Sequence, residues 1–309
     1  MTTAAALFPG QGTQSVGMGK DVADAYPVAA ETFAEADAVL GFPLSRICFE
    51  GPAERLDQTD IQQPAVFTMS VAVYRAAVST GRIQPDRIGV MGGLSLGEYT
   101  ALHLAGAIPF KDAVHLLYAR GRLMQEAADR VPSGMVSLVG ADEAKALAIC
   151  EQARPKGRIW PANYNCPGQI VVSGERAACE EVLRLADGAG LRAIPLKVAG
   201  AFHCELMRPA ADGLRPLLER CEIRRPSVRA LSNVDASYHT DPGSIREALY
   251  QQTVSPVRWQ ACVERMLADG CQEFFEVGPG RTLTGMMRKI DRSLPATNIS
   301  TVSDVQLSG

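Results

Sequence analysis

The chain has 309 residues, of which 47% are hydrophobic and 21% charged, and its formal net charge is −3. That length and balance describe one large globular domain, or one large domain carrying a smaller insertion. The near-neutral charge argues against nucleic acid or an anionic membrane as the main partner, while leaving room for a local basic patch that meets an acidic protein. Eight cysteines are spaced so that no two lie closer than Cys262 and Cys271. Without a CxxC pair there is no zinc or dithiol signature, so no metal is expected. The cysteines read as reduced, mostly buried small hydrophobes of a cytoplasmic protein.

The opening run Ala4-Ala5-Ala6-Leu7-Phe8 stops at Pro9-Gly10 and predicts a buried strand entering a glycine-rich loop. Its flank, Met1 to Leu7, has neither a basic start nor a long apolar core and does not read as a signal peptide. Gly10-Gln11-Gly12 is no dinucleotide fingerprint, because Ser15 stands where the third glycine would fall. Helical patterns follow over Pro27–Leu40 and about Asp60–Thr80, then a buried strand at Arg87–Met91 and helices at Leu96–Ala105 and Ala113–Ala128. The most membrane-like stretch, Ile88–Phe110, is interrupted by Glu98 and His103 and is not expected to span a bilayer. The middle of the chain reads strand Gly134–Val139, helix Asp142–Gln152, strand Arg158–Ala162, strand Gln169–Ser173, helix Glu175–Ala186, strand Leu191–Val198. This β-α-β-β-α-β order is ferredoxin-like. The chain then alternates helices and strands up to Glu273–Val277 and the turn Gly278-Pro279-Gly280. The expected architecture is an α/β hydrolase-like core, residues 1–129 and 199–309, with a ferredoxin-like subdomain inserted at 130–198.

Between the strand ending at Met91 and the helix starting at Leu96 lies Gly93-Leu94-Ser95-Leu96-Gly97, a G-x-S-x-G pattern. A sharp strand-to-helix turn of this kind pushes a serine hydroxyl out of the sheet and aims the next backbone N–H at a developing oxyanion. Serine needs a base. Of the four histidines, His103 and His115 fall in predicted helices and read as structural or surface residues. His239 sits in a polar turn and reads as exposed. His203, expected to begin a helix, is an even choice from the residues alone. Arg120 lies on a predicted helix, where the ordinary fate of arginine is solvent. Asn163 and Asn165 read as turn-shaping residues.

Gly93 to Leu102 (Gly-Leu-Ser-Leu-Gly-Glu-Tyr-Thr-Ala-Leu) resembles the nucleophile motif of the malonyl-CoA:acyl-carrier-protein transacylases. Phe8-Pro9-Gly10-Gln11-Gly12-Thr13-Gln14 is similar to their first loop, and Arg120–Gln125, Gly200-Ala201-Phe202-His203 and Glu276–Gly280 follow in the family's order. The resemblance runs from about Leu7 to Ile290. One departure is Leu94, an apolar neighbour where many members carry histidine before the nucleophile.

The resemblance implies Ser95 as nucleophile and His203 as general acid/base, with the imidazole oriented by a backbone carbonyl around Gln252 in place of an acidic third member. It also implies an oxyanion hole from the N–H groups of Leu96 and Gln11, and Arg120 as the clamp for the malonyl carboxylate, a two-pronged role that lysine cannot copy. Arg122 is expected at the surface. Phe202 is expected to bear on acyl selectivity, because methylmalonyl-selective relatives tend to carry a small residue there. Gln63, Asn163 and Asn165 are candidates for supporting or bordering the site. The implied substrates are malonyl-CoA and the holo form of acyl carrier protein, with no separate cofactor. Three other readings stay open: a free-standing acyltransferase of a polyketide synthase, a serine hydrolase on the same elbow, and a non-catalytic carrier-protein-binding module.

Overall fold

A computed structural model describes residues 3–306. Met1 and Thr2 of the opening segment, and residues 307–309 of the expected core, lie outside the described residues. Among the described residues nine strands form two separate sheets. The first contains β1 (Thr3–Phe8), β2 (Ile88–Gly93), β7 (Arg229–Ala230), β8 (Cys271–Val277) and β9 (Ala296–Ile299), in the order β7-β2-β1-β8-β9 with every pairing parallel. The second contains β3 (Ser133–Val139), β4 (Ile159–Cys166), β5 (Gln169–Glu175) and β6 (Arg192–Pro195), in the order β4-β5-β3-β6 with every pairing antiparallel.

β1 is central in the parallel sheet and is covered on both faces, which is why it reads as a continuous apolar run rather than an alternating one. Ala4, Ala6 and Phe8 pack into the larger core cluster, and Ala5 and Leu7 into a second cluster on the other face. The period of two in their destinations is the pleat itself. The antiparallel sheet has a core of its own, in which Val136, Leu138 and Val172 meet the helices Glu143–Ala153 and Arg176–Gly188. Trp160 of β4 packs on Ala201, Cys204 and Leu206, joining that sheet to the segment around His203. The membrane-like stretch is divided between β2 and the helix Leu96–Leu104, and no helix among the described residues is long and apolar enough to cross a membrane.

Three local expectations are corrected. Asn163 and Asn165 lie on β4, which runs to Cys166, and the turn is Pro167-Gly168. The strand carries register irregularities between Pro161 and Asn163 and between Tyr164 and Cys166, and those bulges hide the alternation that marks a strand. His203 does not begin a helix. It stands in a turn at φ 58°, ahead of the helix Arg208–Arg220. His239 is buried, not exposed, because the polar turn that carries it folds inward onto Glu98.

Candidate active site

The parallel edge of β2 against β1 builds the elbow. β2 ends at Gly93, the helix Leu96–Leu104 begins three residues later, and Ser95 between them sits at φ 54° and ψ −104°. A non-glycine residue held in that region stores strain of about 1–3 kcal/mol and needs its surroundings to hold it. The surroundings are tight. A Cβ on Gly93 would lie 2.1 Å from the Gly97 carbonyl oxygen, and one on Gly97 would lie 2.2 Å from the Phe8 carbonyl oxygen. Asn233 braces the turn from outside, its Oδ1 accepting from the Ser95 N–H at 2.7 Å and its Nδ2 donating to the Gly93 carbonyl at 2.8 Å.

Ser95 Oγ is 2.8 Å from His203 Nε2. His203 Nδ1 is 2.9 Å from the backbone carbonyl of Gln252. A carbonyl only accepts, so Nδ1 carries the proton, Nε2 is the free lone pair, and the serine hydroxyl donates to it. The tautomer is therefore set by a backbone oxygen. Burial, joined by the charge of Arg120 and partly opposed by the Gln252 carbonyl, lowers the His203 pKa from 6.5 to about 4. The imidazole is neutral, the form a base requires, well below neutral pH.

Arg120 comes from the helix Phe110–Arg130 and is 1% exposed. Its Nη1 donates to Gln63 Oε1 at 2.7 Å, and its Nη2 to Ser95 Oγ at 3.1 Å and to Gln252 Oε1 at 3.0 Å. Its guanidinium lies over the Tyr99 ring at 5.5 Å, and its Nε has no hydrogen-bond partner among the described residues. Every polar atom it touches is neutral. Arg122, two residues on, is exposed and pairs with Glu126. Gln63, from the long helix Thr59–Ser79, thus holds the guanidinium directly.

A group that sequence reasoning left without a role ties these pieces together. Glu98 is wholly buried on the elbow helix. Its carboxylate accepts from the Asn233 N–H at 2.9 Å, from Gln252 Nε2 at 2.6 Å and from His239 Nε2 at 2.9 Å. Gln252 Nε2 also donates to the Ser95 carbonyl at 3.0 Å. Gln252 therefore orients His203 with its backbone oxygen, Arg120 with its side-chain oxygen, and the elbow with its amide nitrogen. The available signal was a lone acid in an otherwise apolar helix, which must find buried donors. Asn233 and His239 gave none.

The first loop abuts the elbow. A Cβ on Gly10 would lie 2.7 Å from the Leu94 carbonyl oxygen, and Leu94 N–H donates to the Phe8 carbonyl at 3.0 Å. Gln11, next in that loop, bonds Gln62 Oε1 through its side chain at 2.5 Å. Among the described residues neither the Leu96 nor the Gln11 backbone N–H donates to another group outside regular helix bonding. A cleft of about 810 Å³ opens beside Gln11, lined also by Gln58, Gln62, Gln125 and Lys197. Phe202, next to His203, is buried in the larger core cluster. Asn163 bridges to Val257 in backbone pairing, and Asn165 Oδ1 is buried without a partner among the described residues, with no bond from either to Ser95, His203 or Arg120. No three His, Cys, Asp or Glu side chains among the described residues are grouped to hold a metal ion, and all eight cysteines are free and buried.

The arrangement sets a buried serine hydroxyl against an imidazole whose other nitrogen bonds a backbone carbonyl, with a buried cation beside the hydroxyl. The family described as "Acyl transferase domain" matches residues 6–306. The malonyl CoA-acyl carrier protein transacylase of Escherichia coli K12 is 43% identical over 301 residues, covering 97% of this chain and 96% of that protein. A solved transacylase of the same name from Coxiella burnetii superposes with a TM-score of 0.95 at 37% identity, covering 98% of this chain and 96% of the other. A structure described as a type II polyketide-synthase acyl-carrier protein in complex with its malonyl-transacylase superposes with a TM-score of 0.93 at 40% identity, covering 98% of each chain.

The state of His203 yields a test. The imidazole can accept a proton only where it is neutral, above its folded pKa, and that capacity is lost as pH falls through that value. The rate at which a neutral fluorophosphonate labels Ser95 should therefore have its acid limb near pH 4 and not near 6.5. A limb at 6.5, in protein whose circular dichroism is unchanged, would contradict the buried, cation-flanked imidazole.

Proposed function

The chain belongs to the malonyl CoA-acyl carrier protein transacylases of the acyl transferase family, and from that premise we propose that Ser95, His203 and Arg120 carry its transfer of malonyl groups from malonyl-CoA to acyl carrier protein. The proposed pathway is fatty-acid synthesis. The observation that carries the assignment of residues is Arg120, a buried cation with no carboxylate against it, 3.1 Å from the serine hydroxyl. A malonyl thioester presents a free carboxylate at its far end, and a guanidinium pairs with it through two parallel bonds.

In the proposed sequence, His203 Nε2 takes the proton of Ser95 Oγ as Oγ attacks the thioester carbonyl carbon. The oxyanion is met by the Leu96 and Gln11 N–H groups. The tetrahedral species collapses, the carbon–sulfur bond breaks, and His203 returns its proton to the coenzyme A thiolate. A malonyl-serine ester remains, its carboxylate on Arg120. The phosphopantetheine thiol of the carrier protein, deprotonated by His203, then attacks the ester, and Ser95 leaves with that proton. Gln252, through its carbonyl, keeps His203 in the required tautomer for both halves. No cofactor enters these steps. Eight free, buried cysteines support a reducing compartment, and the cytoplasm is the proposed location. A hydrolase of neutral esters has no use for a buried cation at its nucleophile, and a binding module has no use for the aligned Ser95 and His203. A polyketide pathway would use the same chemistry, and the likeness to a transacylase solved with a polyketide carrier protein keeps it as a second reading.

Replacing Arg120 by alanine should cut malonyl transfer by the loss of a desolvated charge partner, about 2–5 kcal/mol, while acetyl transfer is kept or raised. Transfer assays with both thioesters on a folded Arg120→Ala protein check this, and equal damage to both would remove the clamp. Phe202 is proposed to exclude an α-methyl branch beside His203. Steric rejection of one methyl is worth about 1–3 kcal/mol. Competition between malonyl-CoA and methylmalonyl-CoA should thus shift by roughly ten- to a hundredfold toward methylmalonyl in Phe202→Ser. An unaltered product ratio in an active variant would leave Phe202 as ordinary core.

A further inference from the structure

In the free protein Ser95 Oγ is engaged twice. It donates to His203 Nε2 at 2.8 Å and accepts from Arg120 Nη2 at 3.1 Å. The second bond places one of the two hydroxyl lone pairs against a full positive charge and draws electron density from the oxygen. The guanidinium is also unevenly satisfied. Nη1 is anchored on Gln63, but the opposite edge is made by Nε, which has no hydrogen-bond partner among the described residues, and by Nη2, which bonds the neutral oxygens of Ser95 and Gln252. A carboxylate on that edge would supply the missing acceptor at Nε and would outbid a neutral hydroxyl for Nη2, since charge-assisted bonds to guanidinium are roughly twice as strong as neutral ones.

We infer that the malonyl carboxylate does more than anchor the substrate: by taking the Nε–Nη2 edge of Arg120 it draws the guanidinium off Ser95 Oγ and so releases the nucleophile. The inference rests on the malonyl-transfer reading. It gives Arg120 a role in specificity that is expressed in the rate of acylation and not only in binding. An acetyl thioester fills the same pocket without a carboxylate, so the bond from Arg120 to Oγ stays closed. The second consequence concerns the base. The charge of Arg120 is, after burial, the next cause that holds His203 back from accepting a proton. A carboxylate paired with that charge cancels it at the moment Oγ must give its proton to Nε2. Bond making and breaking are unaltered: Oγ–C forms, C–S breaks, and the proton passes from Oγ through Nε2 to the departing sulfur. Only the readiness of Oγ and His203 differs between the two substrates.

The test supplies the carboxylate separately from the acyl group. Full-length protein is mixed with saturating acetyl-CoA, and acetylation of Ser95 is followed by intact mass in a single turnover, with formate added, or formamide as its neutral isostere, at constant ionic strength. Formate should accelerate acetylation by about tenfold or more, a fraction of what a positioned base contributes. It should slow malonylation from malonyl-CoA by competing for Arg120. Formamide should do neither, and Arg120→Ala should abolish the acceleration. Formate that leaves acetylation unchanged, or slows it together with malonylation, would overturn the switch. Malonylation of Ser95 without additives separates the two levels: if it occurs while acetylation ignores formate, only the switch fails, and if it does not occur, the malonyl-transfer reading fails and takes the switch with it.

Discussion

A guanidinium that is 1% exposed and touches no carboxylate is the constraint around which this site is arranged. Removing an arginine from water costs several kcal/mol, and neutral oxygens return only part of it. The fold meets the cost by converging three acceptors and an aromatic face on one side chain: Gln63, Ser95, Gln252 and Tyr99. They come from the Thr59–Ser79 helix, the elbow with its helix, and the Pro242–Val254 helix, while Arg120 itself comes from Phe110–Arg130. These elements are fixed by the parallel sheet and the larger core on its face. The site is therefore a property of the whole α/β unit, and no single loop could reproduce it.

Glu98 stands behind that convergence. Its carboxylate takes three N–H donors, from Asn233, Gln252 and His239, so its charge is spread over groups that each grip the elbow or the Arg120 pocket. In a serine–histidine–aspartate triad the acid bonds the imidazole directly. Here the acid is one residue removed. It bonds the amide of Gln252, and the carbonyl of that same residue bonds His203. Orientation reaches the base through a backbone oxygen, which carries no charge to favour an imidazolium. That fits an imidazole whose proton affinity is held low by burial and by a neighbouring cation.

Much of this was legible in the sequence because it follows local rules. The parallel strands read as apolar runs, the inserted sheet as a β-α-β-β-α-β order, and the elbow as two glycines spaced where backbone crowding allows no Cβ. The resemblance to the transacylases pointed to Ser95, His203, Arg120 and the Gln252 carbonyl, and the structure brings all four within hydrogen-bond distance of one another in a chain. What stayed hidden depends on contacts far apart in the sequence. Asn233 reaches the elbow across 138 residues and His239 reaches Glu98 across 141, and a polar turn looks the same whether it faces water or a buried acid. Register irregularities break the alternation of the strand holding Asn163 and Asn165, so its sequence pattern ends early, at Ala162. The left-handed φ of His203 has no sign in residue type, so the pattern there reads as the start of a helix.

The central claim is that one buried hydroxyl, Ser95 Oγ, carries the malonyl group between the two thiols. The direct measurement is intact-mass spectrometry of the wild-type protein mixed with malonyl-CoA, followed by peptide mapping, and then a chase with holo acyl carrier protein. The account predicts a single malonyl increment, located on Ser95, that disappears as the carrier protein gains it. A malonyl group on any other side chain, or consumption of malonyl-CoA with transfer to the carrier but no trappable adduct on Ser95, would contradict it.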